Sequence, residues 1–135
     1  MSFIYPHTGL VTLVTLAVYF WMSLQTAKVR SKTNTPAPAM TGPDELMRAI
    51  RVHENTMEGL ILFLPALWLF ALTIGDIWAA LVGIFYPIGR IVYALGYYAA
   101  ANKRSRGFMI GLISTAILYL GALIALVMAA IQAHA

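Results

Sequence analysis

The chain has 135 residues, enough for one domain, and 61% of them are hydrophobic while only 10% are charged, against roughly 25% charged in an average soluble domain. That composition excludes a soluble globular protein, and the complete lack of cysteine excludes disulfides, a protein thiolate nucleophile and cysteine metal sites. The net charge of +4 would suit nucleic acid, but the basic residues stand where membrane topology and anionic lipid already call for them, so no nucleic-acid partner is expected.

An apolar run over 8–27 predicts a first helix, 8–28. No Lys or Arg precedes it, it is longer than a signal-peptide core, and Lys28, Arg30 and Lys32 follow it, so it reads as a retained transmembrane helix. Segment 31–43 holds Pro36, Pro38, Gly42 and Pro43 among Thr and Asn with no apolar periodicity, which predicts a loop. Pro43 followed by Asp44 and Glu45 opens a second helix, 44–74, because proline suits the helix start and negative charge suits its dipole. At 1.5 Å per residue that helix is about 46 Å long, more than the hydrocarbon core, so its first turns project from the membrane. Asp76 reads as the N-cap of a third helix, 76–102, and a fourth follows over 107–132. Pro65 and Pro87 predict kinks. Gly107, Gly111 and Thr115, then Gly121, Ala125 and Ala129, recur every four residues, a pattern for close backbone approach within a bundle or between protomers. Strand alternation is missing, which leaves an all-α, integral membrane four-helix bundle as the fold class, one domain over 1–135.

Eight of the nine Lys and Arg residues flank two loops: Lys28, Arg30, Lys32, Arg48 and Arg51 at one, Lys103, Arg104 and Arg106 at the other. By the positive-inside rule both loops, and 31–43 in particular, are cytoplasmic, and four crossings return both termini to the far side. The ninth, Arg90, lies inside an apolar segment, where a charge requires a partner or a ligand.

Two polar stripes stand out. Arg51, Asn55 and Glu58 are spaced by four and three residues, which confines them to an arc of about 60° on the second helix, with Arg48 one turn earlier. The plain alternative is a solvated ion-pair ladder; a carboxylate at the membrane boundary argues against decoration. On the third helix Tyr86, Arg90, Tyr93 and Tyr97 share a face, and Arg104 continues the phase if the helix extends that far. Facing stripes of Arg, Asn, Glu and Tyr suit a zwitterionic ligand, since guanidinium forks grip carboxylates and a carboxylate receives an ammonium. A guanidinium beside a bound thiol also favours its thiolate, and Arg104 is placed for that role. His7, His53 and His134 show no ligand spacing, so no metal site is expected.

The strings RVHENTMEGLILFLP and GRIVYALGYYAAANKRSRGF resemble the two signature regions of the MAPEG family, the membrane-associated proteins of eicosanoid and glutathione metabolism. The resemblance covers nearly the whole chain, and GYY with KRSRG is most similar to its microsomal glutathione transferases of types 3 and 2. It implies a homotrimer of four-helix protomers with glutathione as co-substrate, bound at subunit interfaces toward the cytoplasm. The family's glutathione-binding positions map onto Arg51, Asn55, Glu58, Arg90, Tyr93 and Tyr97, and its thiolate-stabilising, catalytic arginine onto Arg104. Arg30 and His53 match positions supplied by a neighbouring subunit. Ser31 and Gly59 depart from the leukotriene-synthesising members, so the resemblance implies a glutathione transferase or glutathione-dependent peroxidase acting on lipophilic electrophiles or lipid hydroperoxides drawn from the bilayer. The alternative is a non-catalytic lipid-binding or scaffold protein of the same fold. Either a bacterial inner membrane or an endoplasmic reticulum fits.

Overall fold

The structure is a computed structural model, and residues 2–135 are described. It is helical throughout its regular structure: α1 Pro6–Lys32, α2 Asp44–Thr73, α3 Asp76–Gly83, α4 Phe85–Ala99 and α5 Ser105–Ala133, with a one-turn 3-10 helix, Ala101–Lys103, before α5. Four spans are long and apolar enough to cross a membrane, α3 and α4 together making one of them. The protein is therefore a multi-pass, all-α membrane bundle. The C-terminal ends of α1 and α4 and the N-terminal ends of α2 and α5 meet at one end, which carries eight of the nine Lys and Arg side chains.

Helix α1 starts with Pro6 at its first position and runs to Lys32, taking two residues from the segment read as loop. Arg30 and Lys32 in its last turn oppose the negative end of the helix dipole, which explains the extension. Its buried residues, Thr8, Val11, Thr15, Val18, Met22 and Thr26, recur at three- and four-residue steps and form one narrow stripe. The opposite face, with Leu10, Leu13 and Phe20 each more than 60% exposed, is left to lipid or another subunit.

Helix α2 stays continuous through Pro65. At Pro87 the outcome differs. Proline has no N–H to offer the carbonyl of Gly83, the helix is interrupted at Ile84, and Ile88 reaches the Ile84 carbonyl only at 3.4 Å. The third helix of the sequence reading is thus two helices, and it ends at Ala99 rather than at 102, because Ala100 is extended with φ −164° and ψ 143°.

Asp76 does not cap α3. It is the first residue of that helix, after Gly75 at φ 148°, a backbone region open to glycine. Its carboxylate instead accepts from the backbone N–H groups of His7 (3.1 Å) and Thr8 (2.7 Å), and lies 2.7 Å from His7 Nδ1. It therefore caps the start of α1 from a different helix. Local pattern reading assigns an Asp to the nearest helix start; only the tertiary arrangement redirects it.

In lipid, helix association rests on close packing and interhelical hydrogen bonds more than on exclusion of water. Gly107 and Gly89 supply the closest approach, between α4 and α5: a Cβ at Gly107 would overlap the Tyr93 backbone, and one at Gly89 would stand 2.7 Å from the Gly111 nitrogen. Of the small-residue series of α5, Gly107 and Gly111 are buried inside the bundle, whereas Ala129 is exposed. Trp68 Nε1 donates to Thr12 Oγ1 at 3.0 Å, Thr26 Oγ1 to the Ala49 carbonyl at 3.3 Å, and Ser114 Oγ to the Val82 carbonyl at 2.8 Å, tying α1 to α2 and α5 to α3. The apolar core has a larger cluster around Phe63, Leu67, Phe70 and Leu118 and a smaller one around Val18, Met22, Val52 and Tyr93 nearer the loops.

Candidate functional site

At the loop end, α2, α4 and the start of α5 enclose a groove of about 440 Å³ lined by Arg51, Asn55, Tyr93, Tyr97, Arg104 and Phe108, among others. A second groove, of about 210 Å³, continues inward along α2 and α5; it is lined by Asn55, Glu58, Gly59, Tyr86, Arg90 and Phe108 with their neighbours. Asn55 and Phe108 belong to both, so the two grooves adjoin.

Arg90 organises the junction. It is 4% exposed, and both its Nη atoms donate to Asn55 Oδ1, at 3.0 and 2.7 Å. Its guanidinium carbon lies 4.2 Å from the Tyr93 ring centroid and 5.8 Å from that of Tyr86, so two π faces and a neutral amide receive the cation. No carboxylate pairs with it among the described residues. A buried cation held this way is short of negative charge. With Oδ1 engaged, the amide N–H₂ is left as the free donor of Asn55, so Arg90 orients Asn55.

Arg51 is half exposed and only loosely paired, 3.4 Å from Glu54 Oε2 and 3.9 Å from Glu58 Oε1. The ion-pair ladder is present in weak form, and an exposed pair of this kind contributes about 0.3 kcal/mol. Glu58 and Arg51 therefore remain available to a charged ligand. Tyr93 is buried and meets Tyr97 edge-on, ring centroids 5.6 Å apart and planes at 83°, with Phe108 beyond it at 6.3 Å.

Arg104 reaches the groove by a route the helical phase does not supply. Since α4 ends at Ala99, the chain reverses through Ala100 and the 3-10 turn, and the Lys103 carbonyl closes on Gly96, where a side chain would overlap it. Arg104 then stands just ahead of α5, donating from Nη1 to the Ala101 carbonyl at 2.7 Å, with its guanidinium 5.5 Å from the Tyr97 centroid. A turn stabilised by backbone contacts brings it beside the tyrosine, not the continuation of a helix face.

The chain matches the MAPEG family over residues 8–124. It belongs to that family. It is 41% identical over 118 residues to an uncharacterized protein of Synechocystis sp., covering 87% of this chain and 86% of that one. To microsomal glutathione S-transferase 2 of Homo sapiens it is 36% identical over 104 residues, covering 76% of this chain and 71% of the relative. To leukotriene C4 synthase of Mus musculus it is 35% identical over 94 residues, or 70% of this chain and 63% of that one.

Within this MAPEG fold the remaining sequence-predicted residues go elsewhere. His53 turns to the other side of α2 and stacks on Tyr19, centroids 4.6 Å apart, with Nε2 buried and unpartnered among the described residues. Arg30 donates to the Ala39 carbonyl at 2.7 Å and to the Thr35 carbonyl at 3.4 Å, closing the 33–43 loop onto α1. Neither lines the grooves of its own chain, and Arg48, expected to extend the α2 stripe, does not line them either. Conversely, α5 contributes Ser105, Phe108, Met109 and Leu112, which the sequence reading left out. Their signal was present: Gly107 and Gly111 mark where α5 backs onto α4, so the residues flanking those glycines must border the α4 face. Among the described residues no cluster of His, Cys, Asp and Glu is arranged to hold a metal.

Proposed function

We propose that the protein is a membrane-bound glutathione transferase with glutathione-dependent peroxidase capacity toward lipophilic electrophiles and lipid hydroperoxides. The reading is carried by one observation: Arg51 and Asn55 of α2, Tyr93 and Tyr97 of α4, and Arg104 just before α5 line one groove at the basic end of the bundle, with Glu58 next to it. Membership of a family whose relatives include a microsomal glutathione S-transferase supports the ligand. In this reading Arg51 receives a carboxylate of the tripeptide, Glu58 its ammonium, and Asn55, oriented by Arg90, together with Tyr93 and Tyr97 fixes its backbone. Arg104 holds the sulfur as thiolate.

With 1-chloro-2,4-dinitrobenzene the thiolate forms a C–S bond and chloride leaves. With a hydroperoxide the sulfur takes the terminal oxygen as the O–O bond breaks; the alkoxide takes a proton from water, and a second glutathione reduces the sulfenic acid to disulfide and water. Glutathione enters from the cytoplasm and the apolar partner from the bilayer. The working assembly is a homotrimer in which Arg30 and His53 assist the site of the neighbouring subunit, which accounts for their distance from the grooves of their own chain. Purified protein in detergent should turn over glutathione with 1-chloro-2,4-dinitrobenzene or a fatty-acid hydroperoxide; no turnover of either overturns the enzyme reading.

A second reading, a non-catalytic lipid-binding or scaffold protein, is favoured by one feature, the bond that Arg104 already makes to the Ala101 carbonyl. A scaffold binds glutathione without ionising it, so ultraviolet thiolate absorbance on binding separates the two.

A further inference from the structure

Two buried donors in the inner groove have nothing to donate to. Tyr86 and Arg90 are each 4% exposed and both line that groove. Tyr86 Oη and Arg90 Nε have no hydrogen-bond partner among the described residues, and Asn55 takes only two of the five N–H donors of Arg90. An unmet buried donor costs free energy that the fold recovers only when an acceptor arrives.

The Tyr86 hydroxyl is held in place by its surroundings. Its ring lies face to face on Phe63, centroids 4.0 Å apart and planes at 8°. Its oxygen occupies space that exists only because residue 59 is glycine: a Cβ there would lie 2.5 Å from Oη. Apart from Asn55, Glu58 and Thr115 the rest of the wall is apolar, with Leu62, Phe108 and Leu112. Leu62 also lines a further cleft of about 210 Å³ between α2 and α5, walled by Ile61, Pro65, Leu69 and Leu123. The donors thus stand between the polar groove at the loops and a cleft beyond whose only polar lining group is the Tyr119 hydroxyl.

We propose that Tyr86, backed by Arg90 and admitted by Gly59, is a specificity-determining residue that selects apolar co-substrates bearing a hydrogen-bond-accepting oxygen within the chain, such as a hydroperoxide, epoxide or conjugated carbonyl, over unoxidised chains. This rests on the glutathione-transferase reading, from which it takes the adjoining thiol site. Tyr86 donates to the substrate oxygen and seats it in the inner groove; the chain on either side fills the apolar cleft.

The test is competition binding on detergent-purified full-length protein, with methyl linoleate and its mid-chain hydroxy derivative as probes and uptake by empty micelles subtracted. Methyl esters remove the carboxylate, so an arginine cannot supply the preference through a charge. The wild-type protein should bind the hydroxy ester about fivefold to tenfold more tightly than the parent, the worth of one buried hydrogen bond. Tyr86→Phe keeps the stack on Phe63 and loses only the hydroxyl; it should reduce the preference to less than about twofold while glutathione binding stays as it was. Gly59→Ala, which displaces the phenol, should move the preference the same way. A preference retained in Tyr86→Phe, or absent in the wild type, overturns the assignment. So does a Tyr86→Phe protein that loses its fold or assembly, which would make the hydroxyl structural. Wild-type glutathione turnover without an oxygen preference overturns this inference alone; an oxygen preference without turnover overturns the transferase reading alone.

Discussion

The two ends of the bundle differ in how fully their buried polar side chains are satisfied. At the end away from the loops, Asp76 takes the N–H groups of His7 and Thr8, and Trp68 donates to Thr12. Between the loops and the level of Gly59 and Tyr86, by contrast, lie all six buried side-chain polar atoms that have no partner among the described residues, on Arg48, His53, Thr56, Tyr86, Arg90 and Tyr98. Sequence composition does not produce this difference, since Thr, Tyr and His occur at both ends. The loop end also uses polar groups to hold itself together, as Thr26 and Arg30 do, but the unused hydrogen-bonding capacity is confined to it, and the atoms of Tyr86 and Arg90 line the inner groove, where a ligand can use them.

Variants sharpen the contrast by dissociating rate from stability. Arg104→Ala should have the largest effect, lowering kcat about a hundredfold, as removal of one charge-stabilising donor does elsewhere, with little change in thermal stability. Arg104→Lys should retain more activity, since a point charge still favours the thiolate without the planar fork. Steady-state kinetics beside a melting curve checks both, and equal loss in the two variants would show that charge is not what Arg104 supplies. Glu58→Gln should act on binding, raising the KM for glutathione about tenfold by weakening a charge-assisted bond and lowering kcat less. A fall in kcat with unchanged KM would break that division of labour. Asp76→Asn should have the smallest effect and the opposite character: a melting temperature lower by a few degrees through the weakened cap of α1, and unchanged turnover. If Asp76→Asn impaired turnover as much as stability, the two ends would not be separable.

Much of the fold is legible in the sequence because it depends on local properties. Long apolar runs, the one-sided distribution of Lys and Arg, and the Pro43-Asp44-Glu45 start of α2 each act within a turn or a span. The Arg51, Asn55 and Glu58 stripe is legible for the same reason, being a matter of helical phase. What periodicity does not reveal is set by long-range contacts. Asp76 caps a helix 68 residues away from it in sequence. Arg104 reaches Tyr97 through a reversal that depends on Gly96 meeting Lys103. The third span splits before Pro87 while α2 passes through Pro65 unbroken, although each proline lacks the same N–H, so local pattern does not tell the two apart. The unused hydroxyl of Tyr86 is invisible in a stripe of tyrosines, because its position depends on the missing side chain of Gly59, on another helix.

Whether the loop-end groove binds glutathione and ionises its thiol is decided by titrating detergent-solubilised protein with glutathione at neutral pH and following thiolate absorbance in the ultraviolet, wild type against Arg104→Ala. The wild type should show a saturable rise, lost in Arg104→Ala at glutathione concentrations that still occupy the site. Saturable binding with no thiolate in the wild type, or the same thiolate signal in both proteins, would contradict the thiolate role of Arg104.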